Sequence, residues 1–170
     1  MTYADDFVVC FQNKSDAETY YEHLKRRMGH FGLTLEESKT RLIEFGRFAA
    51  GNNRRRGKGE PETFTFLGFT HYCSTSQKGK FRVKRKTSQK KFRKKLKEVR
   101  QMLKKMRSLK PRVIIAALNK MLIGYDQYYG ITDNIHSLSA FHYEVRMALF
   151  WVLNRRSQRR SYTWESFNEL

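Results

Sequence analysis

Apolar residues in the second half of the chain recur at the spacing of one face of an α-helix. Phe92, Leu96, Val99, Leu103 and Met106 follow one another at intervals of four, three, four and three residues. This spacing places all of these side chains on one narrow stripe. A helix with a single apolar stripe must bury it against other elements. The sequence therefore predicts that residues 86–170 form a helical domain.

Two further long helices are expected to complete this domain. Pro111 is placed to open a helix over "VIIAALNKMLIGY", which is apolar on nearly all sides and is therefore predicted to be the most buried helix. A third stripe runs over residues 141–152, and a short final helix is expected over residues 164–170. Three helices with these faces can pack as a small bundle.

The first 85 residues alternate strand and helix signals, which predicts a smaller region of mixed structure. Residues 8–11, "VVCF", favour a strand, and a hairpin is expected with residues 4–6 at its turn. Ser15, with Glu18 three residues later, has the pattern of a capping box and predicts the start of a helix. The whole chain is therefore expected to belong to the α+β class.

Shorter patterns fill the rest of this region. "LTL" at residues 33–35 and "RLIEF" at residues 41–45 are predicted to be two short strands. Residues 49–62, rich in Gly, Asn and Arg, are predicted to be a surface loop. Residues 63–75 carry a strong β signal, and residues 76–86 are expected to form a turn and a return strand.

The charge of the chain is strongly positive. The formal net charge is +19, and residues 78–110 hold 17 Lys and Arg with Glu98 as their one acid. A helix face that serves only solubility is the plain alternative, but such faces normally mix both signs. A polyanion is the favoured partner, and nucleic acid is more plausible than an anionic membrane surface. No apolar run reaches the roughly 18 residues of a membrane span, so no membrane partner is expected and a cytoplasmic location is the default.

The candidate nucleic-acid-binding residues fall into three basic clusters along the chain. Phe92 is not counted with them as a base-stacking residue, because it belongs to the apolar stripe. The clusters are Arg54, Arg55 and Arg56; Lys84, Arg85, Lys86, Lys90, Lys91, Lys94 and Lys95; and Arg155, Arg156, Arg159 and Arg160.

Two adjacent carboxylates, Asp5 and Asp6, interrupt the apolar start of this basic chain. Neighbouring side chains of a regular strand point to opposite faces, so both can serve one metal site only where the chain turns. Carboxylate oxygens suit Mg²⁺, and paired divalent ions can align and neutralise the oxygens of a nucleotidyl transfer. A third carboxylate from another strand is expected in a complete site. An ordinary Asp-rich turn is the alternative.

The order of several motifs favours the metal interpretation. "YADDF" followed by "VV" resembles the catalytic hairpin of reverse transcriptases, and "GLTLEESKT" and "FTFLGF" resemble the segments that follow it, the second being similar to the primer-grip strand. "KPRVIIAALNKMLIGYDQYY" and "LNRRSQRRSYTWESF" resemble the thumb, or maturase domain, of bacterial group II intron reverse transcriptases. The resemblance covers essentially the whole chain. It implies that residues 1–85 are the C-terminal portion of a reverse-transcriptase palm and residues 86–170 a three-helix thumb, or group II intron maturase-specific domain.

The resemblance also implies roles for individual residues. Asp5 and Asp6 would be the catalytic carboxylates that hold Mg²⁺, with Mn²⁺ as a possible substitute, and Lys39 would be a candidate proton donor or phosphate contact near the leaving pyrophosphate. The residues implied to position the primer strand are Tyr3, Ala4, Phe66, Leu67, Gly68 and Phe69.

The function implied is that of an RNA-directed DNA polymerase and intron-splicing maturase. Its partners would be group II intron RNA, an RNA template with a DNA primer, and deoxynucleotide triphosphates. Enzymes of this family carry a further metal-binding aspartate on a strand before the hairpin, so the chain is expected to be a C-terminal piece that lacks part of the two-metal site. A stand-alone RNA-binding module and a non-functional remnant are the alternatives. The first roughly 80 residues are expected to be marginally stable alone, because a small domain buries little surface.

Overall fold

The computed structural model describes residues 2–3, 6–156 and 161–170, and these residues form both helices and antiparallel strands. The α+β class predicted from the sequence is confirmed. The chain divides into two units, one of Met1–Phe66 with His71–Val83 and the other of Leu67–Thr70 with Lys84–Leu170.

A small hairpin opens the first unit. Strand β1 (Thr2–Tyr3) pairs antiparallel with β2 (Asp6–Phe7), and Tyr3 lies opposite Asp6. The predicted hairpin is confirmed, but the expected place of Asp6 in its turn is wrong, because Asp6 pairs with Tyr3 as part of β2. Residues 4 and 5 lie outside the described residues. The predicted strand over residues 8–11 is wrong. The two residues of β1 pair with Phe7 and Asp6, which precede that segment, so β1 leaves residues 8–11 outside the ladder.

The first helix, α1 (Lys14–His30), begins one residue before the predicted cap. Its N-cap is Asn13, whose side-chain amide donates to the Asp16 carboxylate at 3.0 Å, and Ser15 lies inside the first turn. The predicted capping box is therefore wrong. Asn and Ser are almost equally good N-caps, so the local sequence does not choose between them. Asp16 remains well placed, because a carboxylate in the first turn complements the helix dipole.

The segment between α1 and the sheet differs most from expectation. Residues 33–35 and 41–45 are not strands, and helix α2 (Ala49–Arg55) occupies part of the predicted loop. The Glu44 carboxylate accepts hydrogen bonds from the side chains of Asn52, in this helix, and of Arg56, directly after it, both at 2.6 Å. These contacts tie the helix to the preceding segment across eight and twelve residues, beyond the reach of a local pattern.

The second sheet has the strand order β3 (Phe64–Phe66), β4 (Phe69–Thr75) and β5 (Phe81–Thr87). The predicted return strand is confirmed as β5. The β signal of residues 63–75 is also confirmed, but "FTFLGF" is not one strand. It is the whole of β3, a two-residue turn of Leu67 and Gly68, and the first residue of β4.

The second unit is dominated by helices, and its predicted helices are confirmed. They are α3 (Gln89–Met106), α4 (Pro111–Tyr129), α5 (Ile135–Asn154) and α6 (Trp164–Asn168), with a 3₁₀ turn (Thr132–Asn134) before α5. Among the residues that the structure describes, no helix is both long and apolar enough to cross a bilayer.

The core of this unit lies where α5 packs against both α3 and α4. The predicted stripe of α3 is confirmed, because Leu96, Val99 and Leu103 are buried. The Phe92 ring lies edge-on to the ring of Phe141, with 5.6 Å between centroids. Phe92 therefore belongs to the core, as predicted.

The most buried helix is α5 and not α4, so that prediction is wrong. Val113 and Ile123 of α4 are 50% and 59% exposed. Periodicity reports how apolar a helix is, but it does not report which of three helices lies between the other two. Here α5 takes the central place, and one side of α4 remains at the surface.

Candidate nucleic-acid interface and metal site

The aspartate hairpin presents one of its two predicted metal ligands within the described residues. Asp6 lies in β2, opposite Tyr3, and it is exposed. Asp5, Ala4 and the side chain of Tyr3 lie outside the described residues. Asp6 is an exposed hard oxygen ligand, which suits Mg²⁺. The described residues contain no group of three or more His, Cys, Asp or Glu side chains that could hold a metal ion.

Lys39 lies in an exposed turn after α1. The backbone N–H groups of Lys39 and Thr40 donate to the Glu36 carbonyl at 3.0 and 2.9 Å and close this turn. A hydrogen bond from the Ser38 hydroxyl at 2.6 Å, a second from the Ser38 backbone and the charge of Lys39 hold the pKa of Glu36 below its usual value. These hydrogen bonds define the backbone of the turn. The role of Lys39 near the leaving pyrophosphate stays a prediction.

The turn of Leu67 and Gly68 holds the middle of the predicted primer-positioning segment. Both residues have positive φ, +48° for Leu67 and +76° for Gly68, which is the conformation of a type I′ hairpin turn. Left-handed backbone is routine for glycine and uncommon for leucine. The flanking Phe66 is buried, while Phe69 is half-buried. The structure thus places these four residues around one tight bend.

Residues of α3 and α4 surround this turn within the second unit. The Tyr128 hydroxyl donates to the Leu67 carbonyl at 2.9 Å. The Ser88 backbone N–H donates to the Gly68 carbonyl, also at 2.9 Å. A Cβ atom on Gly68 would lie 2.9 Å from the hydroxyl oxygen of Tyr129. Glycine is therefore required here for close approach as well as for its backbone conformation.

A buried amide connects the end of β5 with the end of α4. Asn134 is fully buried, and its Oδ1 accepts from the Thr87 backbone N–H at 2.7 Å. Its Nδ2 donates to Thr87 Oγ1 at 2.8 Å and to the Tyr129 carbonyl at 2.9 Å. Nearby, burial raises the pKa of the Tyr125 hydroxyl to about 12, with the Thr87 hydroxyl opposing the shift. These bonds fix the elements that flank the turn.

The outer face of α3 is a line of exposed lysines. Its first turn is capped by Ser88, whose Oγ accepts from the Lys91 N–H at 3.4 Å. Spacings of four, three and seven residues set four exposed lysines on the side opposite the buried stripe, over a length of roughly 21 Å. These outer lysines are Lys90, Lys94, Lys97 and Lys104. Among the described residues no ion pair involves them.

Other basic residues of α3 are paired with acids. Lys95 lies 3.7 Å from Glu98, and Arg100 lies 2.8 Å from Glu144 of α5. Three further residues predicted to bind nucleic acid lie on β5, before the helix. Arg85 and Lys86 are exposed there, and Lys84 is half-buried. The helix therefore carries an unpaired positive side and a partly neutralised side.

The C-terminal basic cluster has a structural role in part. The guanidinium of Arg156 donates to the backbone carbonyls of Arg107 and Leu109, in the connection between α3 and α4. Arg155 is exposed and lies 5.9 Å from the ring centroid of Trp151. Arg159 and Arg160 lie outside the described residues.

The α2 cluster lies in the first unit and is also partly paired. Arg56 forms an ion pair with Glu44 at 2.6 Å, while Arg54 and Arg55 are exposed in the last turn of α2. Arg54 and Arg55 are better placed than Arg56 to bind a phosphate, because the guanidinium of Arg56 must first leave the Glu44 carboxylate.

Sequence reasoning missed the residues that hold the turn. Tyr128 could have been noticed as an aromatic residue beside the predicted site only if the fold were known, since 61 residues separate it from Leu67. Asn134 carries no signal at all in the sequence, because a single Asn between helices usually indicates only a cap or turn.

Two protein families match this chain. Residues 1–71 match the family described as reverse transcriptase (RNA-dependent DNA polymerase), and residues 89–168 match the family described as group II intron, maturase-specific domain. No curated protein and no solved structure matches the chain significantly. The two matches, in this order along one chain, support a protein of the group II intron reverse transcriptase and maturase type.

Proposed function

We propose that the chain binds group II intron RNA and acts in reverse transcription and splicing of that intron. The single observation that carries the RNA-binding part is the line of outer lysines on α3, within the region matched by the maturase-specific family. Residues 1–85 would then be palm and residues 86–170 thumb or maturase domain. Phosphates attract an unpaired lysine more strongly than one already neutralised by a carboxylate.

The RNA-binding proposal is tested by changing equal numbers of charges on the two sides of α3. Lys94→Gln with Lys97→Gln removes two outer lysines, and Lys95→Gln with Arg100→Gln removes two residues paired with acids. Both variants have the same net charge. The first should weaken binding to a structured intron RNA and lower the slope of log affinity against log salt by about 1 per lost contact.

The matched variant should change that slope less, because its residues are already neutralised. Equal losses in the two variants would show that binding follows only net charge. A flat salt response of the unchanged chain would contradict phosphate binding altogether.

The polymerase part of the proposal assigns Asp5 and Asp6 to Mg²⁺. A bound divalent ion would neutralise phosphate charge and orient the reacting oxygens. Lys39 and the residues 3–4 and 66–69 would contact the pyrophosphate and the primer strand, with the RNA template, the DNA primer and deoxynucleotide triphosphates as ligands. The reverse-transcriptase match over residues 1–71 supports this assignment.

Metal binding can be tested on the chain itself with Mn²⁺ as a paramagnetic probe. NMR signals of Asp6 and Phe7 should broaden, and Asp6→Asn should remove the broadening. Asp16→Asn, which changes an exposed aspartate in the first turn of α1, is the matched control. Broadening that survives Asp6→Asn, or that is absent in the unchanged chain, would contradict the assignment.

A stand-alone RNA-binding module is the second candidate, and one observation favours it. The first unit exposes large apolar side chains, with Phe31 69% and Phe48 73% exposed, while the buried apolar residues in its described part are Ala17, Ala49 and Phe66. The second unit has a continuous core. RNA affinity without any metal binding at the aspartate hairpin would favour this candidate over a polymerase.

A further inference from the structure

The left-handed conformation of Leu67 requires support from its surroundings. Two-residue hairpin turns of this type usually carry Asn, Asp or Gly, because these residues tolerate positive φ. Leucine offers no local hydrogen bond that would favour its φ of +48°. Non-glycine residues in this region persist where neighbouring groups determine the backbone, and such places concentrate at functional sites.

Two adjacent tyrosines at the end of α4 supply that support. Tyr128 bonds the Leu67 carbonyl through its hydroxyl, and its ring lies nearly parallel to that of Phe69, with 5.9 Å between centroids and 16° between planes. The Tyr129 ring meets Phe69 at 61°, with 5.2 Å between centroids, and its hydroxyl fills the space beside Gly68. The turn is thus held at its first carbonyl and on the Gly68 side.

The same turn is joined to the first turn of the basic helix. Ser88 donates its N–H to the Gly68 carbonyl and accepts the Lys91 N–H on its side chain. One residue therefore links the turn to the start of α3, where Lys90 and Lys91 are exposed. A shift of the turn relative to α3 would therefore move it relative to the phosphates that these lysines would contact in the proposed function.

We propose that Tyr128 and Tyr129 are positioning residues that set the Leu67–Gly68 turn for contact with the paired end of a primer strand. This inference rests on the proposed function, since it assumes that the turn meets a primer. Tyr128 is 54% exposed, so its ring borders the surface where the primer end would lie. In this proposal the outer lysines bind the phosphates along a duplex, whereas the two tyrosines fix the position of the turn that contacts the end of the primer strand.

The first test separates the end of a primer from the body of a duplex. Tyr128→Phe removes the hydroxyl that bonds Leu67, and Tyr143→Phe, on the exposed side of α5, is the matched control. One ligand is an RNA template with a DNA primer that carries 2-aminopurine at its 3′ end. The other is an RNA hairpin with a stem of equal length and no primer terminus.

Tyr128→Phe should weaken binding of the primer–template by roughly three- to tenfold, the effect of one lost hydrogen bond. It should also change the 2-aminopurine fluorescence of the complex, and it should leave hairpin binding as in the control. Equal affinities for both tyrosine variants, or an equal loss on both ligands, would overturn the inference. If the unchanged chain binds neither ligand, the proposed function itself fails and the inference fails with it.

A second test uses rescue and does not depend on a hydrogen bond. Gly68→Ala places a Cβ against the Tyr129 hydroxyl, whereas Gly79→Ala has a similar φ of +71° and nothing within 4 Å. Both variants strain the backbone, but only the first has a steric conflict. Gly68→Ala should therefore lose more primer–template affinity than Gly79→Ala, and adding Tyr129→Phe should recover the difference. Failure of that rescue would show that Tyr129 does not position the turn.

Discussion

Replacement of Asn134 by alanine should destabilise the second unit strongly. The side chain is fully buried and forms bonds of 2.7, 2.8 and 2.9 Å to the Thr87 N–H, the Thr87 hydroxyl and the Tyr129 carbonyl. Alanine leaves the Thr87 N–H without its partner, whereas the Tyr129 carbonyl still accepts from the Ile131 N–H at 2.8 Å. The change therefore tests whether one amide holds the end of β5 to the end of α4.

The expected loss follows from the groups left unpaired. A buried polar group without its partner costs about 1–3 kcal/mol. The Thr87 hydroxyl can rotate to another partner and the Tyr129 carbonyl keeps its bond from the Ile131 N–H, so only the Thr87 N–H is counted, which gives about 1–3 kcal/mol. The whole stability of a domain is about 5–15 kcal/mol. At about 4–8 °C per kcal/mol for a unit of this size, Tm should fall by at least about 4 °C.

Urea denaturation followed by circular dichroism measures this loss directly. Asn119→Ala is the control, because Asn119 is exposed on α4 and its loss should stay within about 0.5 kcal/mol. In a double-mutant cycle, Asn134→Ala and Thr87→Val should be coupled by about 0.5–3 kcal/mol, as expected for residues in contact. A loss below about 1 kcal/mol for Asn134→Ala would refute the reasoning.

Three further predictions concern other contacts. Arg156→Ala should lower the free energy of unfolding by about 1.5–3 kcal/mol, since its guanidinium bonds two carbonyls of the α3–α4 connection; Arg155→Ala should cost less in the same denaturation experiment. Burial raises the pKa of Tyr125 from its usual 10.0 to about 12 in the folded state. The contribution of neutral Tyr125 to the free energy of unfolding is therefore fully present below pH 10 and should be lost between pH 10 and about 12; Tyr125→Phe should remove that part of the pH dependence in alkaline unfolding curves. Hydrogen bonds from Asn52 and Arg56 lower the pKa of Glu44. Protonation of Glu44, as pH falls through that lowered pKa, should therefore weaken its contacts with α2; in Glu44→Gln the NMR shifts of α2 should no longer change over this pH range.

The helical part of the fold could be predicted from the sequence because its signals are local. The stripe of α3 recurs with the helix period, and the buried residues Leu96, Val99 and Leu103 lie where that period puts them. Pro111 begins α4 as predicted, and α6 begins at Trp164. In each case the information lies within a few turns of one helix.

Predictions failed where the deciding contact was distant in the chain. Residues 41–45 look like a strand, but Glu44 instead ties itself to α2 through Asn52 and Arg56. The apolar composition of α4 suggests a central helix, yet α5 lies between the other two. A short apolar pattern does not reveal which distant element the segment will pack against.

For the candidate site, the sequence by itself determined the chemistry that is available: paired aspartates, one strongly basic helix, and a glycine inside a β signal. These are properties of residue types and of their local order. Only the tertiary structure decided how they are used. It separated the outer lysines from those paired with acids, turned "FTFLGF" into a hairpin, and brought Tyr128 against Leu67 across 61 residues. The physical reason is that pairing, burial and close approach depend on which surfaces meet, and no local pattern of residues specifies that.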